Sequence, residues 1–244
     1  MSNNENAPAG RIRFVDLLIF VAALVGGFIL ALVGLLAWLG QERLALAMPE
    51  SGPTEDPIAT LGSLAATFVV VLPAVALAVV RHGRRAPALL GLDQTGGRWL
   101  WILPILTVIL AFVGDDAILW LVHQVLGEES DPSIVALMTS LATTPLLTLL
   151  TVLVAGVIGP VAEELIFRGL IFGYVEGRFG GLAAILVSTA LFAAAHVEPA
   201  HVAVVVPMGL LFGWARMHTR STWPTVAAHV ANNTAATLAV YLFT

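Results

Sequence analysis

The sequence has no cysteine. That removes disulfides, thiolate metal ligands and a cysteine nucleophile, and leaves any chemistry to Glu, Asp, His, Asn or Ser. Charge is scarce as well: 11% of the 244 residues are Asp, Glu, Lys or Arg, against about a quarter in a soluble globular domain. With 59% hydrophobic residues, there is too little polar surface to coat a water-soluble particle. At a formal net charge of −5, nucleic-acid binding has no support. Several protease signatures are also missing. There is no His-Glu-x-x-His and no Gly-x-Ser-x-Gly, and Gly114-Asp115-Asp116 does not make a Gly-x-Gly-Asp motif.

What is present is a series of apolar stretches, at about 14–39, 57–81, 98–126, 144–176, 181–197, 200–217 and 223–243. At roughly 20 apolar residues per crossing, they predict an all-α polytopic transmembrane helical bundle of about seven spans. It forms one membrane domain, with N-terminal spans over 1–132 and the chemistry-bearing helical core over 133–244. Phe14 to Leu39 gives 26 mostly apolar residues, beyond the 7–15 of a signal-peptide core, so it reads as a retained first span. Residues 133–177, with Pro145 and Pro160, are long for one helix. They form either an interfacial piece followed by one tilted span, or two spans, which would make eight. Pro160 predicts a kink, because it has no N–H for the Gly156 carbonyl and its ring crowds that group.

Arginines flank alternate connections: Arg11 and Arg13; then Arg81, Arg84, Arg85 and Arg98; then Arg178; then Arg216 and Arg220. The positive-inside rule accordingly predicts an integral membrane protein, of the cytoplasmic membrane if prokaryotic, with a cytoplasmic N-terminus and an external C-terminus. Membrane lipid is the first partner implied.

Ionisable groups inside apolar segments are costly and are functional candidates by default. Asp16, Asp115, Asp116, Glu163, Glu164, Arg168, His196 and His229 qualify. Glu164 and Arg168, four apart, share a helix face and can pair. Glu163 is rotated by about 100° and stays available for proton transfer as a general base. A helix-locking charge cluster or an ion-translocation site would give the same pattern. His196 follows Phe192 by four residues at the far end of a short span rich in small residues, where a lone histidine can simply bond a carbonyl. His229 and Asn233, also four apart, can direct hydrogen bonds at a single oxygen atom; interhelical bonding is the alternative. Asn232 points elsewhere in this reading, and His82, His123, His201 and His218 are read as interfacial. Asp115 and Asp116 could line a cavity, pair with Arg168 or mark a proton path.

Glu-Glu-x-x-x-Arg, Phe-x-x-x-His and His-x-x-x-Asn, in that order on successive late spans, resemble the motifs of the CAAX-protease and bacteriocin-processing (CPBP) family, also called the type II CAAX prenyl protease family. The resemblance covers about 144–243. It implies peptide-bond hydrolysis within the membrane, acting on a membrane-associated or lipidated peptide or protein. Glu163 and His196 would activate water, His229 and Asn233 would stabilise the oxyanion, and Glu164 and Arg168 would support them. No obligatory cofactor is expected. If a metal is used, zinc on Glu163, His196 and His229 would leave one position for water. The competing class is a non-catalytic membrane protein: a scaffold or immunity factor on a protease fold, or a small transporter with a Glu/His proton relay.

Overall fold

A computed structural model describes residues 11–47, 56–126 and 133–243, and within them every regular element is helical. In order these are α1 (Phe14–Ala47), α2 (Pro57–Val79), α3 (Ala86–Leu89), α4 (Trp99–Leu126), α5 (Ser133–Leu141), α6 (Pro145–Thr151), α7 (Gly159–Glu164), α8 (Phe172–Ala194), α9 (Pro199–Thr219) and α10 (Trp223–Phe243). Two π-helical segments, Val152–Ile158 and Leu165–Ile171, make α6, α7 and the start of α8 one continuous rod. Helix starts follow local chemistry. Asp56 caps α2 by accepting from the Ala59 N–H at 3.0 Å, and Thr144 caps α6 ahead of Pro145, whose missing N–H costs nothing at a first turn.

Among the described residues, four stretches are long and apolar enough to cross a membrane: Phe14–Gln41, Pro57–Leu89, Pro145–Ala194 and Pro199–Thr219. Trp99–Gly114 with Asp116–Val125, bent by 42°, makes a fifth. The bundle turns large apolar side chains outward, with Leu30, Trp101, Val113 and Phe179 each more than 70% exposed. In water that surface would aggregate; in lipid it is matched. The chain is an integral membrane protein. α10, read from sequence as the last span, is 21 residues long but falls outside these five, because its first half carries the polar residues of the site.

Pro145–Ala194 is 50 residues, about 75 Å if straight, against a hydrocarbon core of about 30 Å. Gly180 resolves the mismatch, with φ 83° and ψ 172° inside α8. Phe172 and Val175 before it share a buried cluster with Ala184 and Ile185 after it, so the two legs fold back on each other. α5, by contrast, has nine residues, about 13 Å. Residues 133–177 are therefore a short helix followed by one long leg, not two spans.

Arg13, Arg81 and Arg178 meet at one end. Arg178 Nη1 donates to the Ile12 carbonyl at 3.0 Å. The fully buried Asp16 accepts from the Arg13 N–H at 2.6 Å, from Arg81 Nε and from His82 Nε2 at 3.0 Å. Asp16 is thereby a tie between α1 and the end of α2. At the same end the 90–97 loop is tied to the α9–α10 turn: Thr222 Oγ1 donates to the Leu90 carbonyl at 2.6 Å and Trp223 Nε1 to the Leu92 carbonyl at 3.1 Å. This fixes where α10 starts, and hence the depth of everything on it.

The conformation of Gly180 lies in a region essentially restricted to glycine. Gly180→Ala should lower folded stability by about 1–3 kcal/mol, read as a lower Tm by tryptophan fluorescence in detergent. Gly34→Ala, where an added Cβ meets nothing within 4 Å, should leave Tm unchanged.

Candidate active site

The site begins with a backbone irregularity. In the π register of Val152–Ile158 the N–H of residue i bonds to the carbonyl of i−5, as Gly159 N–H does to Val154 O. The next residue, Pro160, has no N–H to offer Ala155. Asn233 Nδ2 on α10 donates to that carbonyl instead, at 3.3 Å. The kink expected at Pro160 is thus taken up by a π-helical segment, and the freed carbonyl anchors a site residue. The second π segment repeats the device. Phe172 N–H bonds to Phe167 O and Gly169 O, passing over Arg168 O, which accepts from Arg216 Nε at 3.1 Å.

Between the two π segments lie Glu163 and Glu164, in different surroundings. Glu164 is fully buried, and its Oε1 accepts from Arg168 Nη1 at 3.0 Å and from His229 Nδ1 at 3.0 Å. The Arg168 guanidinium is also fully buried. It donates through Nη2 to the Gly209 carbonyl at 3.2 Å and lies 4.4 Å from the Phe192 ring centroid. Gly209 leaves room for α8 here, since a Cβ there would come within 2.9 Å of Thr189 Cγ2. A paired carboxylate has no proton to give, so Nδ1 of His229 carries the hydrogen, and Nε2 faces Glu163 Oε2 at 3.7 Å. The Glu163 side chain is 25% exposed and opens on a cavity of about 650 Å³.

Glu163, His196, His229 and Asn233 all line that cavity. Phe192 spaces the two histidines, its ring centroid 4.8 Å from that of His196 and 5.8 Å from that of His229. His196 Nδ1 sits 2.8 Å from the Phe192 carbonyl; a carbonyl only accepts, so Nδ1 bears the hydrogen and Nε2 is left as an acceptor.

Three sequence expectations need correction. Asn232, read as pointing elsewhere, also lines the cavity, because it follows His229 by three residues and so shares the one face of α10 that carries 229, 232, 233, 236, 237 and 240, and its Nδ2 donates to Asn233 Oδ1 at 3.4 Å. His201, read as interfacial, stands edge-on to His196 with ring centroids 4.5 Å apart and lines the same cavity. The signal was Pro199, which starts a new helix and lets residues five apart face each other. Asp116 is exposed, and Arg168 is held by Glu164 instead; the side chain of Asp115 lies outside the described residues. Among the described residues no three His, Asp or Glu side chains gather closely enough to hold a metal ion. Glu163, His196 and His229 thus do not form a ready ligand set, and His229 Nδ1 is already committed to Glu164.

The N-terminal helices complete the walls, with Leu64 and Phe68 from α2 and Thr107, Leu110 and Ala111 from α4. The helices behind the polar face are those with recognisable relatives. Residues 145–235 match the family described as Type II CAAX prenyl endopeptidase Rce1-like. A Bacillus subtilis (strain 168) protein named "Putative membrane peptidase YdiL" is 32% identical over 85 residues, 35% of this chain and 35% of that protein. The chain therefore matches this curated relative over about a third of its length. No solved structure matches. Glu163, Glu164, Arg168, His196, His229 and Asn233 all fall within the matched segment, so the residues of the site lie in the part of the chain that is similar to the type II CAAX prenyl endopeptidase Rce1-like family.

Proposed function

We propose that this protein is an intramembrane endopeptidase that hydrolyses a peptide bond in a membrane-associated peptide or protein. The observation that carries the reading is the division of labour between adjacent carboxylates. Glu164 is consumed by Arg168 and His229, whereas Glu163 opens on the cavity beside His229 with no hydrogen bond from Arg168. A scaffold would need only the first. A proton relay would need a polar path onward, yet the cavity wall continues in leucine, phenylalanine and valine.

In this reading Glu163 takes a proton from a water that also donates to His196 Nε2, and the water oxygen attacks the scissile carbonyl carbon. The carbonyl oxygen gains negative charge and accepts from His229 and from the free amide hydrogen of Asn233. Because Nδ1–H of His229 is committed to Glu164, donation from Nε2 requires the imidazolium. Two carboxylates, one guanidinium and one imidazolium are jointly neutral, which suits an apolar enclosure. Collapse of the intermediate breaks the C–N bond, and protonated Glu163 returns its proton to the leaving amine. Glu164 and Arg168 act through His229 and touch no substrate. A zinc-dependent version would use Glu163, His196 and His229, which the side-chain arrangement does not gather. The protein would lie in the cytoplasmic membrane, if prokaryotic, with its N-terminus and arginine-rich end in the cytoplasm.

Substrate can be found by comparing peptide N-termini in cells expressing wild type or Glu163→Gln. On a cleaved peptide, with purified protein in detergent, Glu163→Gln should lower turnover about a hundredfold or more with folding intact. His229→Ala should lower it about 10²–10³-fold. Arg168→Ala should instead reduce folded yield together with activity, because it strands Glu164 as a buried charge at about 3–5 kcal/mol. Full activity in Glu163→Gln would remove Glu163 from the mechanism.

Turnover should survive stringent chelation; loss that zinc restores would recast Glu163, His196 and His229 as ligands. Reporter fusions should place the two termini on opposite sides, with the N-terminus in the cytoplasm.

A further inference from the structure

Thr107 on α4 is a buried hydroxyl with nothing to bond. It is 3% exposed, its Oγ1 has no hydrogen-bond partner among the described residues, and it lines the cavity. Helical threonines elsewhere in this chain turn back onto a carbonyl one turn earlier, as Thr148 does to Thr144, Thr151 to Leu147 and Thr237 to Asn233. Thr107 does not make that bond, although the arrangement is open to any threonine in a helix. Thr189 is also unbonded, but it is not part of the cavity wall.

The position of Thr107 follows from the register of two parallel helices. α4 and α10 start side by side, where a Cβ on Gly96 would run into Pro224 Cγ. Further along, Leu103 of α4 and Ala228 of α10 share one buried cluster. One turn more, about 6 Å, brings both helices to the cavity, with Thr107 on α4 and Asn232 on α10. Asn232 donates weakly to Asn233 at 3.4 Å and keeps its carbonyl oxygen and second amide hydrogen. Thr107 Oγ1 is shielded from the cavity in its present rotamer, and with no bond to lose it can turn about χ1 to face inward; a hydroxyl there and the Asn232 carboxamide, on an otherwise apolar wall, offer both a donor and an acceptor. An extended peptide entering from lipid needs both, because each of its backbone N–H and C=O groups has left its own helix.

We infer that Thr107 and Asn232 form a backbone-recognition edge, binding the main chain of an unwound substrate segment beside the scissile bond. This rests on the endopeptidase reading for its purpose. It adds a substrate requirement, that the segment bind extended and through its amides, and it places one binding residue on α4, outside the segment that matches the family.

The test uses the full chain in detergent with Glu163→Gln as background, so that the probe is not consumed. The probe is a dansylated apolar tetrapeptide amide, Ala-Val-Leu-Ala; the control is a dansylated alkylamine of the same length with no amides. Thr107→Val should weaken binding of the peptide about tenfold, Thr107→Ser should retain it, and the alkylamine should bind all three proteins alike. Thr107→Val should not lower Tm, since the hydroxyl has no bond to lose. Unchanged peptide affinity in Thr107→Val would overturn the assignment. An equal loss for the alkylamine would reduce Thr107 to a wall-shaping residue, and the absence of saturable peptide binding would overturn the edge altogether. Hydrolysis by Glu163→Gln at the wild-type rate is a separate failure, which sinks the catalytic reading and leaves the binding comparison intact.

Discussion

One carboxylate oxygen organises the late helices. Glu164 Oε1 accepts from Arg168 on its own rod and from His229 on α10, and both bonds lie where no water competes. In so apolar an enclosure a charge without a partner costs several kcal/mol, so the fold keeps both bonds, and their geometry dictates the rest. Arg168 must reach Gly209 and the faces of Phe192 and Phe212. His229 must turn Nδ1 inward, which aims Nε2 at the cavity. Glu163, one residue away and rotated by about 100°, lies outside this network and opens on the cavity instead.

The rod that carries both glutamates is adapted to its neighbours through its π segments. Each lengthened register frees a carbonyl, and each freed carbonyl is taken by a side chain from another helix, Ala155 by Asn233 and Arg168 by Arg216. In lipid a carbonyl left over has no solvent to turn to, so these bonds are an obligation that also fixes the relative depth of α7, α9 and α10. Small residues permit the closeness: at Gly156 an added Cβ would come within 3.0 Å of Thr234 Oγ1, and at Gly159 within 2.9 Å of Phe68.

The cavity joins both halves of the chain. The late helices supply the ionisable groups, and α2 and α4 share with α5, α9 and the far part of α10 the apolar enclosure that strengthens electrostatic interactions by excluding water. The N-terminal spans are thus part of the site physically, even though the family match begins at residue 145.

The sequence alone determined the solvent and the local pairings. Scarce charge and long apolar runs demanded a membrane helical bundle, and the four-residue spacing of Glu164 and Arg168 demanded a shared face; both are properties of composition and helical period. The three motifs named residues that line one cavity, a grouping that the cost of ionisable groups in apolar segments led one to look for. Tertiary structure alone decided what crosses between helices. That His229 bonds Glu164, that Asn232 and His201 reach the cavity, and that Thr107 lines it unbonded all depend on the relative depth and rotation of helices far apart in the chain. Helical period gives a residue its face but not which neighbour that face meets, and here the neighbour was set by the turn at Gly180, the loop tied to Thr222 and Trp223, and two π segments that spacing arguments built on 3.6 residues per turn do not foresee.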